Sequence, residues 1–394
     1  MIGKGKTAVT VKIGIDIQCL TRRHPTGVGY YTRGLLEGLS GLDGDERVTP
    51  FYFSFGPQVE LPVPVYKKMA PRDRKIHGRI LNLAWKRLGF PPVEWLIPGM
   101  DVYHFPDFIA RPARRKPVVT TVYDLGFKRY PEFIESKNLR YLENLLPGSL
   151  ERSDRIIAIS RFTRDELVSL YPFVAGKVAV VEGGVDDTFR RDLTDDQLLR
   201  TRYRFHLPEK YLLTVGTWEP RKNLVRLLES WSALRARGKM GGCKLVLVGP
   251  RGWLCGEIEQ KFRNQAGQLG VMDLGYVPRS ALPALYRCAS AFVYPSLYEG
   301  QGFPPLEAMA SGVPVAASRA GALPEMLGEA ALYFDPADGG QITAALEAIL
   351  TRPELAAELA EKGRRQSERF TWERAAEKTL NVYRAAAGGG AALG

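Results

Sequence analysis

Nothing in the 394 residues approaches the ~18 consecutive uncharged apolar residues that a membrane-crossing helix needs. The lysine-bearing stretch Met1–Lys12 is not followed by an apolar core and a small-residue cleavage site, so no secretion signal is expected. The four cysteines, Cys19, Cys243, Cys255 and Cys288, are scattered and lack the paired spacing of a zinc site or a disulfide framework. A reduced, cytoplasmic protein without structural metal is the expectation. No short-period repeat is present, which excludes a solenoid. Core-forming residues are not scarce: 45% hydrophobic with 25% charged is ordinary globular composition, and the length predicts two domains.

Acid is in short supply, and the formal net charge is +12. The excess is concentrated between Tyr66 and Phe90, where Lys67, Lys68, Arg72, Arg74, Lys75, Arg79, Lys86 and Arg87 face the single acid Asp73. Ile76, Ile80, Leu83 and Ala84 recur there at helical spacing, with Trp85, Leu88 and Phe90 close by. A basic amphipathic helix of this kind reads as a contact for an anionic membrane surface. The plainer reading is a solvated face that keeps the protein soluble.

Short apolar strands at Val9–Ile15, Val48–Phe53, Val102–Phe105, Val118–Val122, Ile156–Ile159 and Val178–Val181 alternate with helical patterns. Ser160 is placed to cap a helix over Arg161–Leu170. After Asp187–Asp192 the alternation restarts. Thr194 and Gln197 form a capping box, and strands are expected at Tyr211–Val215, Lys244–Val248, Leu274–Val277, Ala291–Tyr294 and Val313–Ala317. Helices are expected at Asn223–Arg235, 257–268 and Ala281–Cys288, and from Gln341 onward up to the glycine-rich tail Gly388–Gly394. Two doubly wound α/β units follow, and ligands of such sheets bind beyond the carboxyl ends of the strands.

Three strand-to-helix loops carry the candidate chemistry. In the first, Glu299 and Glu307 flank Gly300, Gly302, Phe303, Pro304 and Pro305, with Glu299 in the loop and Glu307 in the first helical turn. Alone, two glutamates at this spacing are ordinary surface charge. The glycines permit close backbone approach, the helix N-terminus offers amides to an anion, and carboxylates accept from paired sugar hydroxyls. In the second, Glu219-Pro-Arg221-Lys222-Asn223 sets two cations at a helix entry, where the dipole disfavours them unless an anion is bound. The third is Thr26-Gly27-Val28-Gly29-Tyr30. It lacks the third glycine of the dinucleotide fingerprint and the following acid, which argues against a nicotinamide dehydrogenase.

With Ala158-Ile-Ser160, Gly183-Gly184-Val-Asp186, Gly321-Ala-Leu-Pro-Glu325, Ala330–Pro336 and Thr371-Trp372-Glu373, these motifs resemble family 4 retaining glycosyltransferases of the GT-B fold across nearly the whole chain. Within that family the similarity leans toward bacterial mannosyltransferases of surface polysaccharide biosynthesis. The resemblance implies two Rossmann-like domains facing across a cleft. Residues 1–188 would bind acceptor and 189–371 the nucleotide sugar. A helix at 372–387 would cross back to the first domain, and 388–394 would be a flexible tail. Glu299 would bind donor-sugar hydroxyls and Glu307 the ribose. Arg221 and Lys222 would hold the pyrophosphate, helped by the Gly27–Gly29 loop and amides of residues 300–303, and the base would sit near Tyr276-Val277. Asp124 counts with Glu299, Arg221 and Lys222 as catalytic.

One position departs from the pattern. Relatives commonly carry His-Asp where this chain has Tyr123-Asp124. Tyrosine is a poor base near neutrality. In the mechanism usually proposed for the family the departing phosphate takes the acceptor proton, so a protein base is dispensable. Tyr123 and His104 are the candidates for the acceptor side of the cleft, although for His104 a satisfied structural role is the favoured reading. No Asp-x-Asp lies in a cleft loop, so neither metal nor cofactor is expected.

The resulting expectation is hexosyl transfer, with GDP-mannose as favoured donor, onto an oligosaccharide or polyprenyl-diphosphate-linked acceptor. The enzyme would sit at the inner face of the cell membrane through residues 66–90, and nucleic acid is not expected as a partner. Alternatives are a UDP- or dTDP-sugar donor, a nucleotide-sugar epimerase, which should lack the paired glutamates in this context, or a catalytically silent binding subunit.

Overall fold

The computed structural model describes residues 10–21, 27–53, 61, 63–238 and 242–388. Val9, Thr26, the tail beyond Gly388 and the side chains of Tyr66 and Arg79 lie outside the described residues. The first half forms a seven-stranded parallel sheet from β1 (Lys12–Asp16), β2 (Arg47–Phe53), β3 (Arg72–Arg74), β4 (Val102–Phe105), β5 (Val118–Val122), β6 (Arg155–Ala158) and β7 (Val178–Val180). Its strand order is β3-β2-β1-β4-β5-β6-β7. The second half forms a six-stranded parallel sheet from β8 (Tyr211–Val215), β9 (Lys244–Val248), β10 (Val271–Asp273), β11 (Ala291–Tyr294), β12 (Val315–Ser318) and β13 (Ala331–Phe334), ordered β10-β9-β8-β11-β12-β13. All five residues of β5 and all four of β11 are buried, as expected of parallel strands covered by helices on both faces.

Local signals act as the sequence predicts at several helix starts. The Ser160 side chain accepts from the Thr163 amide at the head of the Arg161–Leu170 helix, and Thr194 and Gln197 close a full capping box. The strand expected at Leu274–Val277 is a correction. β10 ends at Asp273, whose side chain accepts from the Gly275 amide at 2.8 Å, and Gly275 turns the chain at φ 61°. The basic segment is a second correction. In place of one helix it holds a short helix (Val63–Lys68), the charged edge strand β3 and a helix over Gly78–Leu88. Leu81 and Trp85 pack inward from that last helix, whereas Ile80, Leu83 and Leu88 are 68%, 51% and 75% exposed.

The last helix, Trp372–Ala387, leaves the second sheet and lies on the Gly27–Gly41 helix of the first half. The contact depends on glycine. A Cβ on Gly34 would lie 2.0 Å from the Trp372 indole, and one on Gly38 would lie 2.3 Å from the Trp372 carbonyl oxygen. Ala376 and Tyr383 of this helix are fully buried among Ile13, Ile15, Tyr31 and Leu35.

Candidate active site

In each sheet the strand order reverses once, between β1 and β4 in the first and between β8 and β11 in the second, and crevices at such switch points are where open α/β sheets take ligands. At the second switch point the chain leaving β8 makes a single turn over Pro220–Lys222, and the chain leaving β11 runs through Pro295–Gly302. Asn223 takes a left-handed φ of 56° and ties the turn down by donating to the Pro295 and Pro336 carbonyls at 3.1 and 2.8 Å. Arg221 and Lys222 therefore lie on the turn before the Leu224–Ala236 helix, not within it.

Both cations converge on Glu299, with Arg221 Nη1 at 3.0 Å and Lys222 Nζ at 2.6 Å from the same oxygen. Arg221 also donates to Glu219 and to the Tyr298 carbonyl, each at 2.7 Å, and Lys222 to the Tyr294 hydroxyl at 2.7 Å. Burial opposes the charge on Glu299, but Arg221 and Lys222 outweigh it and hold the carboxyl at about 2. Burial works against the charge on Lys222 too, and with the neighbouring Arg221 it lowers that ammonium. Asp124 sits opposite, its Oδ1 accepting from the Gly126 amide at 2.9 Å. Burial raises its carboxyl, with Arg221 pulling the other way.

Glu307 lies one turn deeper than expected, as the fifth residue of the Phe303–Ala310 helix. It is buried, 2.8 Å from Arg279 and 3.1 Å from the Tyr286 hydroxyl. Arg279 also bonds Asp186 at 2.8 Å, and the other Asp186 oxygen accepts from the Trp372 indole at 2.8 Å. Tyr30, Gly34, Tyr276, Arg279 and Trp372 line a cavity of about 660 Å³ between the first helix and the second domain. Tyr276 is half-exposed there, whereas Val277 belongs to the core. Gly27 and Gly29 open the first helix beside this cavity.

Of the glycines of the motif, Gly300 serves the closure of the two halves, and Gly302 packs within the second against Leu323. A Cβ on Gly300 would lie 1.9 Å from the Tyr123 carbonyl, and Gly302 has φ 88°. Prolines 304 and 305 remove two amides from this helix start. Phe303 stacks toward Trp372, and Gln301 exchanges hydrogen bonds of 2.9 and 2.7 Å with the backbone of Gly183. The Tyr298 hydroxyl accepts from the Leu125 amide at 3.0 Å and donates to Glu166, and Trp253 donates to the Phe133 carbonyl at 2.6 Å.

Neither acceptor-side candidate faces the cleft: for Tyr123 this is a correction, and His104 takes the structural role. Tyr123 is buried with its hydroxyl on the Pro106 carbonyl at 2.8 Å, and its ring packs edge-on to Tyr31. His104 is wholly buried, bonded to Tyr383 at 2.7 Å and Thr121 at 2.8 Å, and burial lowers its pKa to about 3. Both are core residues. Arg279, Tyr294 and Tyr298 went unnoticed in the sequence, and Glu219 was read only as a neighbour of the two cations. Only the flanking positions of Tyr294 and Tyr298 around Pro295 carried any signal for them.

Residues 25–189 match the family model described as Glycosyltransferase Family 4, and residues 195–366 the model for glycosyl transferases group 1. The O-antigen chain mannosyltransferase B of Escherichia coli is 31% identical over 91% of this chain and 96% of its own length. The chain belongs to glycosyltransferase family 4. Among solved structures, this glycosyltransferase superposes on sucrose-phosphate synthase from Thermosynechococcus elongatus with TM-score 0.75 at 21% identity, covering 96% of this chain and all of the other. It superposes on Anabaena HepE, solved with UDP and glucose, with TM-score 0.71 at 17% identity, covering 94% and 99%. These neighbours carry the GT-B fold, the two-sheet architecture described above. Among the described residues no helix is long and apolar enough to cross a membrane.

Proposed function

We propose that this enzyme transfers mannose from GDP-mannose, with retention of configuration and without a metal, to a saccharide carried on a polyprenyl diphosphate. The observation that carries the reading is the convergence of Arg221 and Lys222 on Glu299 at the β8–β11 switch point. A leaving nucleoside diphosphate gathers negative charge as the anomeric carbon becomes cationic, and fixed cations in a dry site stabilise that change. Arg221 and Lys222 are charged, immobilised and water-poor, and they would serve the diphosphate as a divalent ion does elsewhere. Glu299 would then hold donor hydroxyls and Glu307 the ribose. With Tyr123 committed to the core, no tyrosine base is at hand there, which suits a proton transfer to the departing phosphate.

The mannosyl choice is supported by the O-antigen mannosyltransferase relative. The lipid-linked acceptor and a peripheral station on the inner membrane face are supported by the cations and exposed Ile80, Leu83 and Leu88 of the Gly78–Leu88 helix. The test is thermal melting with GDP, UDP, dTDP and ADP in the absence of metal. Ligands that bind the folded state raise the midpoint by mass action. GDP is expected to give the selective shift. A shift with another nucleotide would remove mannose from GDP-mannose and keep the transferase, and no shift with any would favour a silent binding subunit.

A further inference from the structure

The first sheet has a switch point of its own, between β1 and β4. Asp16 ends β1, and the segment Pro106–Pro112 leaves β4. From this point a groove of about 360 Å³ runs outward between the Gly78–Leu88 and Ser136–Arg152 helices, a volume within the range of small-molecule sites. Its walls include Leu83, Ile109, Tyr141 and Leu145, and Leu83 and Tyr141 are exposed.

Three cations, Lys86, Arg111 and Arg152, line the same groove, and no carboxylate does. Arg111 is laid over the Trp85 ring at 5.1 Å. Its enclosed Nε makes no hydrogen bond and is held only by a long ion pair of 4.0 Å to the Asp16 carboxylate. Among the described residues neither Lys86 nor Arg152 makes an ion pair. A groove with apolar walls and three cations, two of them without an acid partner among the described residues, is complementary to an amphiphilic anion. The inner wall of the groove packs under the loop after β5: Ile109 shares a buried cluster with Val122 and Leu125. Its wall residue Ile109 follows Phe108, whose ring packs 5.4 Å from that of Tyr123, next to Asp124.

We infer that this groove receives the diphosphate and first isoprenoid units of the acceptor lipid. The inference rests on the lipid-linked acceptor reading above and locates it. Arg111 and Arg152 offer planar donors to the diphosphate oxygens, and Leu83, Ile109 and Leu145 take the hydrocarbon. The saccharide at the far end of the diphosphate then lies toward Asp124 and Glu299. A membrane phospholipid is the competing occupant, and the test separates the two.

The probe is farnesyl diphosphate, titrated into the full chain and followed by calorimetry, with farnesol and inorganic pyrophosphate as its two halves. Farnesyl diphosphate is expected to bind at least about tenfold more tightly than either half, and Lys86→Glu or Arg152→Glu to weaken it by about tenfold or more, the usual value of one charge-assisted contact. The nucleotide-induced melting shift should persist in both variants, which shows that they fold. Equal binding by wild type and both variants would overturn the groove, as would farnesyl diphosphate binding no better than farnesol. Anionic phospholipid vesicles that compete fully with farnesyl diphosphate would assign the groove to bulk lipid and also overturn it. With a lipid-linked saccharide as acceptor, the variants should raise KM and hold kcat. An unchanged KM removes the groove and leaves the acceptor reading standing. Tight farnesyl diphosphate binding by an enzyme that glycosylates only lipid-free saccharides does the reverse.

Discussion

Glu299 shares one carboxylate oxygen between two cations that the proposed reaction needs for a diphosphate. Neutralising both, as Arg221→Ala with Lys222→Ala, removes the charge stabilisation and strands a buried carboxylate. Turnover is expected to fall by about 100-fold or more, the scale seen when preorganised electrostatic groups are deleted. A steady-state rate within a few-fold of wild type would refute the assignment. His104 makes a different prediction. Its pKa falls from the ordinary 6.5 to about 3 on burial, so between those values the unfolded chain binds the extra proton. The stability His104 supports is complete above pH 6.5 and is lost as pH falls toward 3. In His104→Gln that acid limb should flatten, so the gap in melting temperature from wild type should be smaller at pH 5 than at pH 7.5. A gap independent of pH would mean that the ring takes up its proton in the fold as readily as in the unfolded chain. The misplacement of Tyr123 in the sequence reading has a simple cause. Successive side chains of an extended segment alternate faces, so Tyr123 and Asp124 cannot both enter the cleft, and a motif read as adjacent letters does not say which one does.

Among the elements, strands with near-continuous apolar runs, such as Val118–Val122 and Ala291–Tyr294, were legible to the residue. So was the Arg161–Leu170 helix with its serine cap. Three-residue β3 was not, because an edge strand reading Arg-Asp-Arg has no apolar alternation and owes its place to pairing with β2. The loops holding Glu299 and Arg221 were legible as glycine- and proline-rich breaks after strands. Their convergence was not, because contacts across 77 positions have no local signature. In the Gly78–Leu88 helix the periodic apolar residues include those that point outward, and Leu81 and Trp85 form the buried stripe instead. That exposed face leads to a test: replacing Ile80, Leu83 and Leu88 by serine together with Lys86 and Arg87 by glutamine should release the enzyme from anionic vesicles in a sedimentation assay. Retained binding would refute a membrane role for the helix.

For the whole molecule, the two halves are joined by more than the connection between β7 and β8. The Tyr298 hydroxyl, the Gln301 amide and the Glu325 carboxylate each reach backbone groups of the first half. The Trp372–Ala387 helix adds a covalent return. Gly34→Val would drive side-chain atoms into the Trp372 indole, and overpacking of this kind costs about 1–3 kcal/mol. Denaturant unfolding should show that loss, and a midpoint equal to wild type would mean that the helices part easily. Gly34 and Gly38 are the surfaces on which this return docks, and they belong to a segment made early. The residues that cover them are made only after the entire second sheet. During synthesis the first half therefore emerges with Tyr31, Leu35 and the glycine face bare, and its core is completed from the opposite end of the chain. Assembly runs counter to the order of translation, so the nascent first half keeps an apolar face open until the last helix is made.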